Sequence, residues 1–208
     1  CILIVINGYN FIDGVNTLLI GYCLIISSSL YYLNLNDIEI SKIIDFYNFI
    51  PVLLALLILN FFNKLYLGDG GAYFLGLLFA LCLINTYQIN NNISPYFIVC
   101  LLWYPAFENL FSILRKKTFS RSPLKPDINH LHQIIFLYLK KTFNVNIVLL
   151  NTATGMMINF YNLISIGIAT HFYNHTKIQI SIIAFNIIIY VFLYKNLLFK
   201  NKNNFKIS

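Results

Sequence analysis

Charged residues are scarce in this 208-residue chain: they make up only 10% of it, whereas hydrophobic residues make up 59%. Soluble domains are about 25% charged and about 45–50% apolar. The composition therefore excludes an ordinary soluble protein and predicts several membrane-spanning helices. Acidic residues are the scarcest, with seven Asp and Glu against 14 Lys and Arg. The basic residues lie in loops between apolar runs, so membrane orientation explains the net charge of +7 better than nucleic-acid binding does.

Cysteine is also rare, and none of the four cysteines forms a CxxC pair. They lie inside apolar runs, at Cys1, Cys23, Cys82 and Cys100. Cysteines in such surroundings behave as small buried hydrophobic residues. The sequence therefore gives no indication of a zinc site or a disulfide framework.

The apolar runs predict an all-α, polytopic transmembrane helix bundle with about six full spans. The predicted spans cover residues 15–33, 46–62, 72–87, 95–114, 146–172 and 178–199. Residues 1–6 are apolar but far shorter than the roughly 20 residues that a spanning helix needs. We interpret them as the end of a severed helix, and residues 1–208 as one integral-membrane domain, the C-terminal part of a larger protein.

The distribution of lysine and arginine predicts the orientation of the bundle. Alternating the loops places twelve basic residues on one side: Lys64, Arg115, Lys116, Lys117, Arg121, Lys125, Lys140, Lys141, Lys195, Lys200, Lys202 and Lys206. Only Lys42 and Lys177 fall on the other side, so the first side is predicted to be cytoplasmic. The polar loops at about 7–14, 63–71 and 115–144 all lie on that side. Their coincidence predicts that they form a single site.

The stretch LGDGGAYFLG, residues 67–76, is the centre of this prediction, because it places Asp69 between two glycines at the edge of a span. A carboxylate there is costly unless it has a partner such as a metal. Gly68 and Gly70 allow close approach of the backbone, and the following apolar run predicts a helix that begins there. Such a turn suits a magnesium-bound phosphate. The other interpretation is a simple turn between two membrane helices.

The stretch NGYNFIDGVN, residues 7–16, repeats a polar group every three residues. In a helix, Asn10, Asp13 and Asn16 would cover about a third of the circumference. Such a face can hold a metal, a sugar or a nucleotide. The alternative is an interhelical hydrogen-bond cluster, which polar side chains commonly form in membranes.

The stretch SRSPLKPDINHLHQ, residues 120–133, places basic residues and two histidines in a loop stiffened by two prolines. Arg and Lys neutralise phosphates, and imidazole can donate hydrogen bonds to them. A zinc site is poorly supported, since HxH supplies only two ligands. Glu108, upstream of this loop, is interpreted either as a partner of Arg115 or Lys116 or as part of a solvated helix end.

Four motifs in this order resemble the polyprenyl-phosphate N-acetylhexosamine-1-phosphate transferases (glycosyltransferase 4), which include the WecA-type and MraY-type enzymes. NGYNFIDGVN resembles the signature NxxNxxDGxD/N, and KLYLGDGGAYFLG resembles kIFxGDxGSxxLG. PAFENLFSILRKK is similar to PxxDTLxxxxRR. SPLKPDINHLHQ is similar to the SPFxPDxxHLHH loop of the WecA-type branch.

The resemblance implies transfer of N-acetylhexosamine-1-phosphate from a UDP-sugar to undecaprenyl phosphate, with release of UMP and a requirement for Mg²⁺ (or Mn²⁺). It implies a multi-pass protein of the bacterial inner membrane with a cytoplasmic active site, which starts a lipid-linked cell-envelope glycan. The implied partners are a UDP-N-acetylhexosamine, a polyprenyl phosphate lipid and the membrane itself, with no nucleic acid. The resemblance does not decide whether the protein forms a homodimer.

The resemblance also assigns roles to individual residues. The implied catalytic residues are Asp13, Asp69, His130 and His132. The implied metal ligands are Asp69, Asn10 and Asp13. The implied substrate-binding residues are Asn10, Asn16, Gly68, Gly70, Arg121, Lys125 and Asp127.

The chain departs from the family pattern at several positions. Asn16 replaces an aspartate, Ala72 replaces a serine and Gln133 replaces the last histidine of HLHH. The paired aspartates expected upstream would precede Cys1, so this piece alone is expected to be inactive. One alternative is a catalytically silent relative that binds lipid or nucleotide. A transporter is less favoured, because the ionisable groups gather at one surface and not near the midplane.

Overall fold

The computed structural model describes residues 2–118 and 129–203, and within these ranges the chain is helical, with no β-strand. It has eight α-helices there: α1 (Ile2–Ile12), α2 (Leu18–Leu35), α3 (Phe46–Phe61), α4 (Gly68–Ile89), α5 (Pro95–Thr118), α6 (Leu131–Thr142), α7 (Ile147–His171) and α8 (Thr176–Asn203). The all-α prediction is confirmed.

Each of the six predicted spans corresponds to a helix. Five of them, α2, α4, α5, α7 and α8, are long and apolar enough to cross a membrane. The sixth, α3, has 16 residues and falls just short of a full span. The fold is therefore a polytopic bundle of membrane-spanning helices.

Helix α1 continues through residues that the sequence predicted to be a polar loop. The prediction ended the severed helix at Ile6, whereas α1 ends at Ile12. The physical reason is tertiary packing: Val5, Gly8, Tyr9 and Ile12 form a buried face against α4 and α5. At Gly8 a Cβ atom would lie 2.3 Å from the carbonyl oxygen of Pro105, so only glycine allows this approach of α1 to α5.

The helical fan of Asn10, Asp13 and Asn16 is wrong for the same region. After Ile12 the chain turns, and Thr17 adopts φ 67° before α2 begins. Asp13 and Asn16 thus lie in the turn between α1 and α2, which we call the 13–17 turn. Asn16 consequently faces different neighbours from those of Asn10.

The predicted loop at 115–144 contains a short amphipathic helix, α6, which the sequence prediction missed. Its buried residues are Leu131, His132 and Ile134, and it packs on α7 and α8. Lys140 and Lys141 lie in its last turn, where the helix dipole favours positive charge. Helix α6 brings the histidines back against the bundle.

Candidate active site

The polar stretches that the sequence singled out meet at one end of the bundle. The 13–17 turn follows α1, Asp69 lies in the first turn of α4, and His130 and His132 lie at the start of α6. Packing of α1 between α4 and α5 brings these elements together. The three sequence-distant segments therefore lie together at this end of the bundle.

Asp13 and Asp69, which we call the acidic pair, are within electrostatic reach of each other. Burial, followed by the negative charge of Asp69, raises the pKa of Asp13 to about 7. The backbone N–H of Gly68 donates a hydrogen bond to Asp13, and this bond lowers the pKa of Asp13. Gly68 itself has φ +64°, a conformation that favours glycine, and it opens α4 directly beside Asp13.

Asn10 lies one turn before Asp13 and is half-buried. Its amide nitrogen donates to the hydroxyl oxygen of Tyr73, one turn into α4, at 3.1 Å. This bond occupies the amide nitrogen of Asn10. The amide oxygen is therefore the atom of Asn10 that could bind a cation.

The acidic pair suits a magnesium ion that arrives with a phosphate. A divalent cation stabilises two carboxylates that repel each other, and it would relieve the effect of Asp69 that contributes to the raised pKa of Asp13. Among the residues that the structure describes, no group of three or more His, Cys, Asp or Glu side chains could hold a metal. Mg²⁺ usually binds through one or two carboxylates plus waters and substrate phosphates, so the acidic pair fits this mode of binding, and the metal role of the pair and of Asn10 stays a prediction.

Glu108 anchors the histidine segment, although the sequence analysis gave it no role in the site. It is fully buried, which rules out the solvated helix end. Its Oε2 lies 2.9 Å from Nδ1 of His130, and its Oε1 accepts from the backbone N–H of Leu131 at 2.9 Å. Arg115 was one of the two partners that the sequence suggested for Glu108. Its guanidinium donates to the carbonyl oxygen of Asn129 at 2.6 Å and to the hydroxyl oxygen of Tyr194 at 2.9 Å.

His132 is buried beside the 13–17 turn. Its ring stacks parallel to that of His130, with an interplanar angle of 6° and a centroid distance of 5.6 Å. A Cβ atom on Gly14 would lie 2.4 Å from His132 Nε2, so this imidazole nitrogen touches the backbone next to Asp13. Burial lowers the pKa of His132 to about 4, against the opposing effect of Glu108. His132 is therefore neutral near pH 7.

Asn16 takes part in a hydrogen-bond cluster that joins α2, α3 and α7. Its backbone N–H donates to Asn151 Oδ1 at 2.6 Å, and its side-chain nitrogen donates to Asn63 Oδ1 at 2.9 Å. Beside it, the N–H of Thr17 donates to Asn60 Oδ1 at 2.5 Å. This is the interhelical cluster that the sequence analysis kept as an alternative, and it holds the 13–17 turn in place.

Two residues to which the sequence assigned no role support the site. Gln133 replaces a family histidine, and its side-chain oxygen accepts from the N–H of His130 at 3.2 Å, which caps the start of α6. Asn60 also donates to the carbonyl oxygen of Leu65 at 2.8 Å, ahead of α4. The available signal was the position of Asn60 and Glu108 within apolar spans, where a polar group needs a partner.

The remaining predicted residues divide into two groups. Gly70 lies in the first turn of α4, where a Cβ atom would meet nothing within 4 Å, so the backbone there is open to a ligand. Arg121, Lys125 and Asp127 lie outside the described residues. Their roles stay predictions.

Comparisons with known proteins agree with the motifs. Residues 1–87 match the family model described as glycosyl transferase family 4. The chain is 30% identical to a decaprenyl-phosphate N-acetylglucosaminephosphotransferase of Mycolicibacterium smegmatis, over 62% of this chain and 37% of that protein. It is 26% identical to an undecaprenyl-phosphate alpha-N-acetylglucosaminyl 1-phosphate transferase of Escherichia coli K12, over the same shares of the two chains.

The chain thus spans a little over a third of the length of these relatives, with 37% of each covered. No solved structure matches. The family match covers the turn with Asp13 and the turn with Asp69, which are the segments that the fold brings together. The chain is therefore similar, over residues 1–87, to glycosyl transferase family 4, and over 62% of its length to transferases named for N-acetylglucosamine phosphate and polyprenyl phosphates.

Proposed function

We propose that the full-length protein transfers N-acetylhexosamine-1-phosphate from a UDP-N-acetylhexosamine to undecaprenyl phosphate and releases UMP. The observation that carries this proposal is the convergence of the acidic pair with the histidine segment at one end of the bundle. The two relatives are named for N-acetylglucosamine phosphate transfer to decaprenyl and undecaprenyl phosphate.

In the proposed reaction an oxygen of the lipid phosphate attacks the sugar-bearing phosphorus of the donor. The bond from that phosphorus to the bridging oxygen breaks, and UMP leaves with the electron pair. The new product is a lipid pyrophosphate that carries the sugar. Positioning and charge neutralisation provide most of the catalysis in such a transfer.

The acidic pair and Asn10 are the proposed ligands of Mg²⁺ (or Mn²⁺). When bound, the ion supplies positive charge to the pyrophosphate of the donor. Asp69, in the first turn of α4, and the open backbone at Gly68 and Gly70 hold the donor at a helix N-terminus, where anions are favoured.

The histidine segment is proposed to face the same donor. His132 lies against Gly14 as a neutral imidazole, so it can exchange a hydrogen bond without adding charge beside Asp13. Arg121 and Lys125 are proposed to neutralise phosphate oxygens, and Asp127 to contact the donor. Asn16 is proposed to act on the substrate indirectly, through the 13–17 turn that its hydrogen bonds hold.

The charges of the loops support one orientation of the protein in the membrane. We propose that the site faces the cytoplasm from the bacterial inner membrane, since alternating the loops assigns twelve of the 14 basic residues to the side of the site. The lipid product would then start a cell-envelope glycan. The apolar helices around the site provide the surroundings that a polyprenyl chain requires.

Product analysis tests this proposal. The full-length protein in lipid nanodiscs is given undecaprenyl phosphate, Mg²⁺ and each of several UDP-N-acetylhexosamines, and the lipid fraction is analysed by mass spectrometry. The expected product is undecaprenyl pyrophosphate bearing one N-acetylhexosamine. A folded protein that binds UDP-sugar but forms no lipid product with any donor would overturn the proposal and indicate a silent relative.

A further inference from the structure

Glu108 is a buried carboxylate whose two oxygens serve two different donors. It lies in α5, and its side chain is 0% exposed. Oε1 accepts from the backbone N–H of Leu131 at 2.9 Å, and Oε2 lies 2.9 Å from His130 Nδ1. The hydroxyl of Tyr104 approaches Oε1 at 3.5 Å. A carboxylate is costly in a membrane span, so this arrangement calls for a function that an apolar residue could not serve.

The two imidazoles present the same edge to Glu108. His130 Nδ1 is hydrogen-bonded to Oε2, and His132 Nδ1 lies 3.9 Å from Oε1, just beyond hydrogen-bond distance. The rings are nearly parallel, at 6°. In His132 the opposite nitrogen, Nε2, lies against Gly14 of the 13–17 turn. Both Nε2 atoms are therefore on the side of the rings away from Glu108.

A carboxylate only accepts hydrogen bonds, so it decides where the proton of its imidazole partner resides. Facing Oε2, Nδ1 of His130 must carry a hydrogen, and in the neutral ring Nε2 then has a free lone pair. We propose that Glu108 is a positioning residue that holds His130 in the Nδ1–H tautomer and fixes both imidazoles with Nε2 directed away from it. The catalytic consequence of this inference rests on the proposed function, whereas the tautomer does not.

Replacing the carboxylate by an amide makes a specific prediction. In Glu108→Gln one oxygen remains, and the N–H of Leu131 can only donate, so the oxygen stays with Leu131. The amide NH₂ group then faces His130 Nδ1, which must accept. The proton of His130 consequently moves to Nε2, and the ring presents a donor where the wild type presents an acceptor.

The test is nitrogen NMR of the full-length protein labelled with [¹⁵N]histidine, in nanodiscs, at a pH above the usual imidazole range. The His130 signals are identified from their loss in His130→Asn. The wild type should show a protonated Nδ1 and an unprotonated Nε2, and Glu108→Gln should show the reverse. Glu108→Asp, which keeps an acceptor-only group, should keep the wild-type pattern.

Two results would overturn the inference: a wild-type His130 with its proton on Nε2, or identical His130 spectra in the wild type and Glu108→Gln. Glu39→Gln is the matched control, since Glu39 is exposed between α2 and α3. It should leave the spectrum unchanged. Thermal unfolding midpoints, measured on the same samples, show that each variant is folded.

Activity gives a second, separable readout. If the proposed function holds, Glu108→Gln should lower kcat roughly 100-fold or more, as a wrong tautomer does in other enzymes, with a smaller change in KM. Glu108→Asp should restore a substantial part of kcat. A wild type without turnover would contradict the proposed function but leave the NMR result to decide the tautomer. A normal kcat in a Glu108→Gln protein with a reversed tautomer would remove the catalytic consequence alone.

Discussion

At the scale of single residues, the proposed responses of the site to metal and to pH both depend on the acidic pair. Asp69 is exposed in the first turn of α4, and Asp13 is partly buried in the 13–17 turn. Their repulsion, added to the burial of Asp13, gives the free protein a carboxyl group that holds its proton up to about pH 7. The two residues therefore differ in what their replacement should do.

Asp69→Asn should lower Mg²⁺-dependent turnover of the full-length protein by at least about 100-fold, because an amide removes the negative charge on which metal binding depends. The fold should be retained, since the side chain is exposed. Asp37→Asn makes the same change at an exposed position at the end of α2 and should be nearly neutral. Turnover within threefold of the wild type in Asp69→Asn would defeat the metal assignment.

The raised pKa of Asp13 predicts a pH dependence of metal binding. Mg²⁺ requires the ionised carboxylate, so protons compete with it below the pKa of about 7. The apparent Mg²⁺ affinity should be constant above about pH 8 and should fall up to tenfold per pH unit below about pH 7. Thermal-shift titrations with Mg²⁺ at several pH values measure this affinity without an activity assay.

The raised pKa of Asp13 also predicts how the stability of the metal-free protein changes with pH. Between the ordinary Asp value of 3.8 and about 7, the folded state holds a proton that the unfolded state has lost. Asp13 therefore contributes stability that is lost as pH rises through this window, whereas His132, with its pKa lowered to about 4, contributes the opposite slope below its usual value of 6.5. The stability of Asp13→Asn relative to the wild type should rise with pH across the window, while Asp37→Asn should follow the wild type. A difference between Asp13→Asn and the wild type that does not change with pH would contradict the assignment to Asp13.

At the scale of elements, the helices were predictable from apolar runs, but their ends at the site were not. The run before residue 7 is apolar and the next residues are polar, so the sequence suggested a break where α1 continues to Ile12. The decisive contact is that of Gly8 with Pro105, nearly a hundred residues away. Periodicity within one segment carries no information about such a partner.

The start of α6 shows the same limit. The sequence pointed to His130 and His132 as residues of one site, but it did not predict a helix there, and it suggested Arg115 or Lys116, not His130, as the partner of Glu108. In the structure, Gln133 caps the start of α6 at His130. The carboxylate of Glu108 accepts hydrogen bonds from the His130 ring and from the backbone N–H of Leu131. A carboxylate inside a span was visible in the sequence, yet its partner across a loop was not.

The contact of α2 with α7 offers a prediction with a control on the same helix. A Cβ atom at Gly155 would lie 2.1 Å from the carbonyl oxygen of Asn16, a backbone atom that cannot yield. Gly155→Ala should therefore separate α7 from α2 and cost about 1–3 kcal/mol of stability. At Gly167 a Cβ atom would meet nothing within 4 Å, so Gly167→Ala should be neutral or stabilise by about 0.5–1 kcal/mol.

Thermal unfolding of the two variants in detergent measures this difference. Gly155→Ala should also weaken Mg²⁺ binding, because the Asn16 backbone that it displaces belongs to the 13–17 turn. Equal unfolding midpoints for Gly155→Ala and Gly167→Ala would show that the close approach of α2 and α7 does not limit stability.

At the scale of the whole molecule, charge and hydropathy predicted the class of the protein well. Five full-length apolar helices and the shorter α3 follow the runs that composition indicated. The convergence of the three polar stretches was also predictable, because alternating loops placed them on one side. Their actual contacts depend on α1 lying between α4 and α5, which no local pattern encodes.

The proposed orientation predicts opposite labelling of two lysine positions. Lys42 lies in the segment between α2 and α3, and Lys64 lies just after α3, at the other end of that helix. In intact cells a membrane-impermeant maleimide should label Lys42→Cys, whereas Lys64→Cys should react only after permeabilisation. The native cysteines Cys23, Cys82 and Cys100 are buried and should give little background. The reverse pattern would place the acidic pair on the outer face.

The most direct measurement is UMP release by the full-length protein in nanodiscs, with undecaprenyl phosphate and Mg²⁺ each supplied or omitted. Release from a UDP-N-acetylhexosamine is expected only when lipid, metal and Asp69 are all present, with Asp69→Asn as inactive as the reaction without metal. Release that continues without the lipid phosphate, or without Asp69, would contradict a transferase whose site is the acidic pair.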